Sequence, residues 1–199
     1  MPNVQMAALA AGPFLDVVHG VTPDTVDAPT PCTDYSVRGL VNHLLFWGPS
    51  LEGAARKDAV PPPAESEAEV DLTVGDWAKA LDAQTQRVVA AWSEPAAWAG
   101  TTQLGMPMEL PADMIGAMVV GELVVHGWDL ARATGQRAIW PEALLDWLLV
   151  EAAKTAEQGR EMGVYGARVH VGDAAPTLHR LLGLTGRHAE WRAVALPSR

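Results

Sequence analysis

The amino-acid sequence predicts a mainly all-α fold: one domain over residues 1–199, built as a bundle of four or five helices with extra short helices and a small β appendage. Three observations predict it. Apolar residues recur at three- and four-residue spacing through several long stretches. Proline- and glycine-rich segments separate those stretches, and no internal repeat is visible. Hydrophobic residues make up 49% of the chain and charged residues 19%, a balance that can bury a sizeable core.

Met6–His19, rich in alanine, reads as the first helix. Val21–Thr33 holds three prolines among Asp and Thr and reads as a loop. Ser36 suits an N-cap, so a second helix is expected from Val37 to about Lys57. Its stripe of Leu40, His43, Leu44, Trp47 and Leu51 forms one helical face, apolar except for a single histidine. Pro61–Glu69 is a Pro/Glu-rich connector, expected to be mobile. Val74–Trp92 reads as the third helix, with Trp77, Leu81, Val88 and Val89 inward. Trp98–Leu110 reads as an extended loop or small hairpin. Pro111 suits the first turn of a helix that continues to about Thr134 and stops at Gly135. Pro141 opens another helix, to about Gly159. In the tail, Arg168–Val171 alternates like a short strand, and Pro176–Leu184 reads as a short helix before Gly186. Eight Trp against two Phe and two Tyr point to indoles filling gaps between helices, each N–H needing a partner or an outlet to solvent.

The formal net charge is -10, and the 14 Lys and Arg residues are scattered, so neither nucleic acid nor an anionic membrane surface is an expected partner. Apolar runs such as Gly116–Val120 fall short of a membrane span, and Met1–Gly20 lacks a basic leader. A single cysteine, Cys32, rules out an intrachain disulfide. These features make a cytoplasmic protein the expectation.

The stretch Gly116–Leu130 is nearly all apolar, so most of it must be buried, yet Glu122 and His126 interrupt it one turn apart on one face. A buried carboxylate needs compensation. A plain Glu–His hydrogen bond is one form of it. A divalent metal is another when a third ligand is at hand, and His43 on the second helix's inward stripe supplies one. For His43 alone, a bond to a backbone carbonyl is the plain alternative. Three protein ligands leave a coordination position open, as catalytic sites do. Asp129 lies one turn beyond His126, where it can orient that ring or pair with Arg132. Asn42 and Trp128 flank the ligands. His19 ends a helix, and His170, His179 and His188 sit in a polar tail where solvation is expected. Cys32 has nothing near it in sequence to lower its pKa. There is no glycine-rich nucleotide loop, no Gly-x-Ser-x-Gly elbow and no zinc-finger cysteine pair.

Three stretches carry a resemblance: Thr30-Pro-Cys-Thr-Asp-Tyr-Ser-Val-Arg-Gly-Leu-Val-Asn-His43, Glu122-Leu-Val-Val-His126-Gly-Trp-Asp-Leu-Ala-Arg-Ala-Thr-Gly135, and Leu178-His-Arg-Leu-Leu-Gly-Leu-Thr-Gly186-Arg. Together they resemble the DinB/YfiT-like superfamily, in its actinobacterial branch near the mycothiol-dependent maleylpyruvate isomerase N-terminal domain. The resemblance implies an up-down-down-up four-helix bundle. It also implies zinc or nickel near one end of the core, held by His43, Glu122 and His126. Enzymes of that kind mostly use a low-molecular-weight thiol such as mycothiol, and relatives often form homodimers. Glu122 replaces a histidine that many members use, and Tyr35 stands where Trp is common. No full second domain follows, so maleylpyruvate isomerisation itself is not expected. The expected function is that of a metal-dependent thiol S-transferase acting on a small electrophile. Asp129 would orient His126, and Arg132 would hold a substrate carboxylate. The alternative is a non-catalytic small-molecule-binding protein of the same fold, with the metal weak or missing.

Overall fold

In the computed structural model, residues 3–106 and 108–193 are described. Helix α1 spans Met6–His19 and α2 spans Val37–Ala55. Ser36 caps α2 as its sequence foretells, its Oγ accepting the Gly39 N–H at 3.2 Å. The helix stops two residues short of the expected Lys57, which itself adopts a left-handed backbone with φ 64°. Helix α3 spans Trp77–Trp92, starting later than Val74 because Asp76 caps it, accepting from the Lys79 N–H. A hairpin of β1 (Thr101–Gln103) and β2 (Glu109–Pro111) follows, antiparallel with Thr102 opposite Leu110.

The next helix is one rod in three parts: α4 (Ala112–Gly121), a widened π turn (Glu122–His126) and α5 (Gly127–Ala133). Gly135 (φ 71°) follows as the expected left-handed stop. Contrary to the sequence reading, the rod of 22 residues is long and apolar enough to cross a bilayer by length and composition, but 78% of its most apolar window is buried inside the bundle. Helix α6 (Glu142–Glu161) runs past Gly159, and α7 (Thr177–Leu184) matches the short tail helix.

Helices α1, α2, α3 and the rod surround the core, with α2 on α3, α1 on α3 and α1 on the rod. Helix α6 covers α4 and carries α7 on its own flank. The expected strand at Arg168–Val171 does not form. An alternating segment needs a partner edge, and here the Val169 N–H is satisfied by the Gly183 carbonyl of α7 at 2.9 Å.

The tryptophans seal the joints between helices. Trp92, fully buried, donates from Nε1 to the Leu51 carbonyl of α2. Trp98 stacks edge-on against Trp92 at 5.3 Å and donates to its carbonyl, while Trp140 donates to Ala10 of α1. A Cβ at Gly116 would lie 2.5 Å from the Trp98 ring, so glycine lets α4 approach that cluster.

Candidate metal centre

The site lies where α2 faces the π turn. Its first donor is His43, the one polar member of the α2 core stripe. Glu122 and His126 bracket the π turn, and the four residues from Leu123 to His126 are all buried. A π turn carries one residue more than an α turn, and such turns recur at functional positions.

Glu122 Oε2 stands 3.3 Å from His43 Nε2 and 3.4 Å from His126 Nε2. One donor atom from each of the three residues lies within 4.8 Å of the others. The edge of a tetrahedron of ligands around zinc is about 3.4 Å, from metal–ligand bonds of roughly 2.1 Å. The donor spacing therefore suits such an ion.

The far side of each imidazole is held by a carboxylate. His126 Nδ1 bonds Asp129 Oδ2 at 3.1 Å, and His43 Nδ1 bonds Glu67 Oε1 at 2.9 Å. An ionised carboxylate only accepts, so each Nδ1 carries the proton. A neutral ring then presents a bare Nε2 lone pair toward Glu122. Three acceptors converge on one point, and such a cluster calls for a cation, either a proton or a metal.

The electrostatics of the metal-free protein agree. Burial opposes a charge on His43, but its hydrogen bonds to Glu122 and Glu67 win and raise its pKa to about 9. Burial likewise opposes ionisation of Glu122, yet the charges of His126 and His43 bring it down to about 2. Beneath Glu122 lies an apolar cavity of about 20 Å³ lined by Phe14, Leu44, Leu51, Leu81 and Val119.

Asp129 sits beside His126, as its spacing suggests, and is 0% exposed. Its Oδ2 also accepts from Arg187 Nη2 at 3.1 Å, an arginine of the tail to which the sequence reading gave no role. Arg132 is turned elsewhere. It donates through Nε and Nη2 to the Trp191 carbonyl and lies 5.9 Å over the Trp128 ring. It lines a separate open cleft of about 460 Å³ with His179, Glu190 and Arg192. The sequence reading also missed Glu67, whose only signal is an acid in the connector after α2. Asn42 holds that connector, donating to the Glu67 carbonyl at 3.1 Å and accepting the Leu72 N–H at 2.8 Å. The Pro61–Glu69 connector is thus tied to the site at Glu67.

Cys32 approaches His126 and Asp129, with donor atoms within 4.8 Å. Burial pushes its thiol up to about 11 and outweighs the neighbouring Arg187 cation, so it stays protonated near neutral pH. His19 pairs with Asp82 at 2.7 Å on the surface, and His170 and His188 are exposed as expected, whereas His179 is half-buried.

The chain is a helical bundle whose core brings two imidazoles and a carboxylate together, each imidazole backed by a second carboxylate. The chain belongs to the mycothiol maleylpyruvate isomerase N-terminal domain family, matching it over residues 7–131. The uncharacterized proteins MT0763 and Rv0738, from two strains of Mycobacterium tuberculosis, are each 26% identical over 151 residues, 75% of this chain and 78% of theirs. Among solved structures, a histidine-to-alanine mutant of the mycothiol-dependent maleylpyruvate isomerase shares the fold with a TM-score of 0.57. That match is 19% identical and covers 79% of this chain and 71% of the other. The DinB-like bundle expected from the sequence is the fold of this chain.

Proposed function

We propose that this protein is a metal-dependent enzyme of the thiol S-transferase type, joining a low-molecular-weight thiol, mycothiol or a close analogue, to a small electrophile. Zinc or nickel would be held by His43, Glu122 and His126. The observation that carries the reading is the convergence of His43 Nε2, His126 Nε2 and Glu122 Oε2 while both Nδ1 atoms are committed to carboxylates. A bound dication supplies Lewis acidity, lowering the pKa of a thiol that reaches it so that the sulfur is nucleophilic near neutral pH. The thiol proton leaves to solvent, the S–C bond forms, and the electrophile's leaving group departs with its electron pair. Asp129 keeps the His126 ring in one tautomer and orientation, and Arg187 holds Asp129 in its buried position through Nη2. Arg132 acts as a brace for the tail in this reading, and the substrate-carboxylate role expected of it has no support from its contacts.

Metal content of the purified full chain, measured beside His43→Ala and Glu122→Ala, tests the proposal, followed by thiol consumption with a generic electrophile. The expected result is close to one equivalent of zinc or nickel in the wild type, lost in both variants, with protein-dependent thiol loss abolished in His43→Ala. Metal-free protein after incubation with both ions would overturn it, as would thiol loss unchanged in His43→Ala.

A second reading is a non-catalytic small-molecule-binding protein. It has its own supporting observation: a protonated His43 between Glu67 and Glu122 satisfies the cluster without a metal. Metal-free protein that consumes no thiol but binds apolar ligands would favour it.

A further inference from the structure

We propose that Glu67 is a positioning residue for the metal centre, aligning His43 before an ion arrives; the inference rests on the metal reading above. Most of the connector between α2 and α3 is exposed, with several prolines and acids, but Glu67 turns its carboxylate inward to 23% side-chain exposure. Both oxygens are used. Oε1 accepts from His43 Nδ1 at 2.9 Å and from Trp47 Nε1 at 2.8 Å, and Oε2 accepts from the Tyr35 hydroxyl at 3.2 Å. The backbone is fixed as well. A single turn over Glu67–Glu69 is capped by Ser66 Oγ, and Asn42 clamps the Glu67 carbonyl.

The chemistry of this arrangement is specific. Two oxygens face His43 Nδ1: Glu67 Oε1 at 2.9 Å and the Tyr35 hydroxyl oxygen at 3.2 Å, whose hydrogen goes to Glu67, so both can only accept. Glu67 is the nearer and the charged acceptor, and it also turns the Tyr35 hydroxyl into an acceptor, so it places the proton on Nδ1 and leaves Nε2 free to face Glu122. It mirrors Asp129, which does the same for His126 from within the helix. One histidine is aligned by its own helix and the other by a connector far from it in sequence. Without Glu67 the His43 ring can rotate or exchange tautomers, and ordering it is then charged against ion binding. Loss of such a partner typically lowers metal affinity by about 10- to 100-fold.

The test is zinc affinity of the full chain by chelator competition, for wild type, Glu67→Ala, Glu67→Asp and Glu67→Gln, with His43→Ala as reference. Glu67→Ala is expected to bind roughly 10- to 100-fold more weakly. Glu67→Asp keeps the charge but loses reach, and should also be weakened. Glu67→Gln keeps an acceptor oxygen at the same length and should return close to wild type. The visible absorption of the cobalt-loaded protein should change in Glu67→Ala and Glu67→Asp but not in Glu67→Gln, a pattern that a merely structural connector would not give. If Glu67→Ala does not fold, the comparison of Glu67→Asp with Glu67→Gln decides. Affinities and spectra indistinguishable from wild type in both weakened variants would overturn the positioning role and leave the metal site standing. A wild type that takes up no zinc would overturn both.

Discussion

At the scale of single residues, the cluster is governed by what occupies the space between His43 and Glu122. In the metal-free protein that occupant is a proton. The His43 pKa, raised from 6.5 to about 9, gives stability that is fully present below pH 6.5 and lost as pH rises through 9. The Glu122 pKa, lowered from 4.5 to about 2, gives stability present above pH 4.5 and lost as pH falls through 2. Zinc must displace the His43 proton at neutral pH. Calorimetry at pH 7 in two buffers of different ionisation enthalpy should therefore report about one proton released per ion, fading as pH passes 9. Heats that do not depend on the buffer would contradict the assignment. Cys32, raised to about 11, should resist alkylation at pH 8 and react only in strong alkali. Fast labelling at pH 8 would contradict its burial. His43, Glu122, His126 and Asp129 were legible in the sequence because each lies on a helix whose apolar pattern fixes its direction. Glu67 and Arg187 were not, because nothing in a connector or a tail tells a side chain which way to point.

At the scale of elements, the helix ends were written in local chemistry: Ser36 before α2 and Gly135 after α5 stand where caps are needed. The hairpin was legible only as an alternative to a loop. The supposed tail strand failed because alternation says nothing about whether a partner edge exists. The close contact at Gly116 gives an element-level prediction. Gly116→Ala should destabilise by about 1–3 kcal/mol, since the new methyl would meet the half-buried Trp98 ring and the fully buried Trp92 ring, each tied to a backbone carbonyl. Gly121→Ala, whose added carbon would meet only Leu148 at 4.0 Å, should instead stabilise by up to about 1 kcal/mol. Urea unfolding midpoints of the two variants check both signs, and equal shifts would sink the packing argument.

At the scale of the whole molecule, the tail is bound into the bundle through the site. Arg187 donates to the buried Asp129 and to the Thr185 carbonyl, and Gly186 takes φ 88° with its α-carbon 3.6 Å from where a Gly166 side chain would begin. Arg187→Ala leaves a carboxylate buried without its cation and should cost about 3–5 kcal/mol, against about 1 kcal/mol or less for Arg132→Ala, whose acceptor is a half-exposed carbonyl. Chemical denaturation of the two variants separates them. Similar losses would mean that the tail is held by apolar packing rather than by the Arg187–Asp129 pair. The bundle itself was legible from helical periodicity, whereas this long-range ion pair joins residues 58 apart and leaves no periodic trace.

The widened turn between α4 and α5 also bears on how related chains should be aligned. Neighbours on the face of a regular helix lie three or four apart. The extra residue in the turn means that Glu122 and His126, four apart in the chain, occupy places that a spacing of three would fill in an unbroken helix. A homologue with one residue fewer here could present the same pair of donors to the same point. A one-residue gap in this segment would then mark a regularised helix rather than a lost ligand.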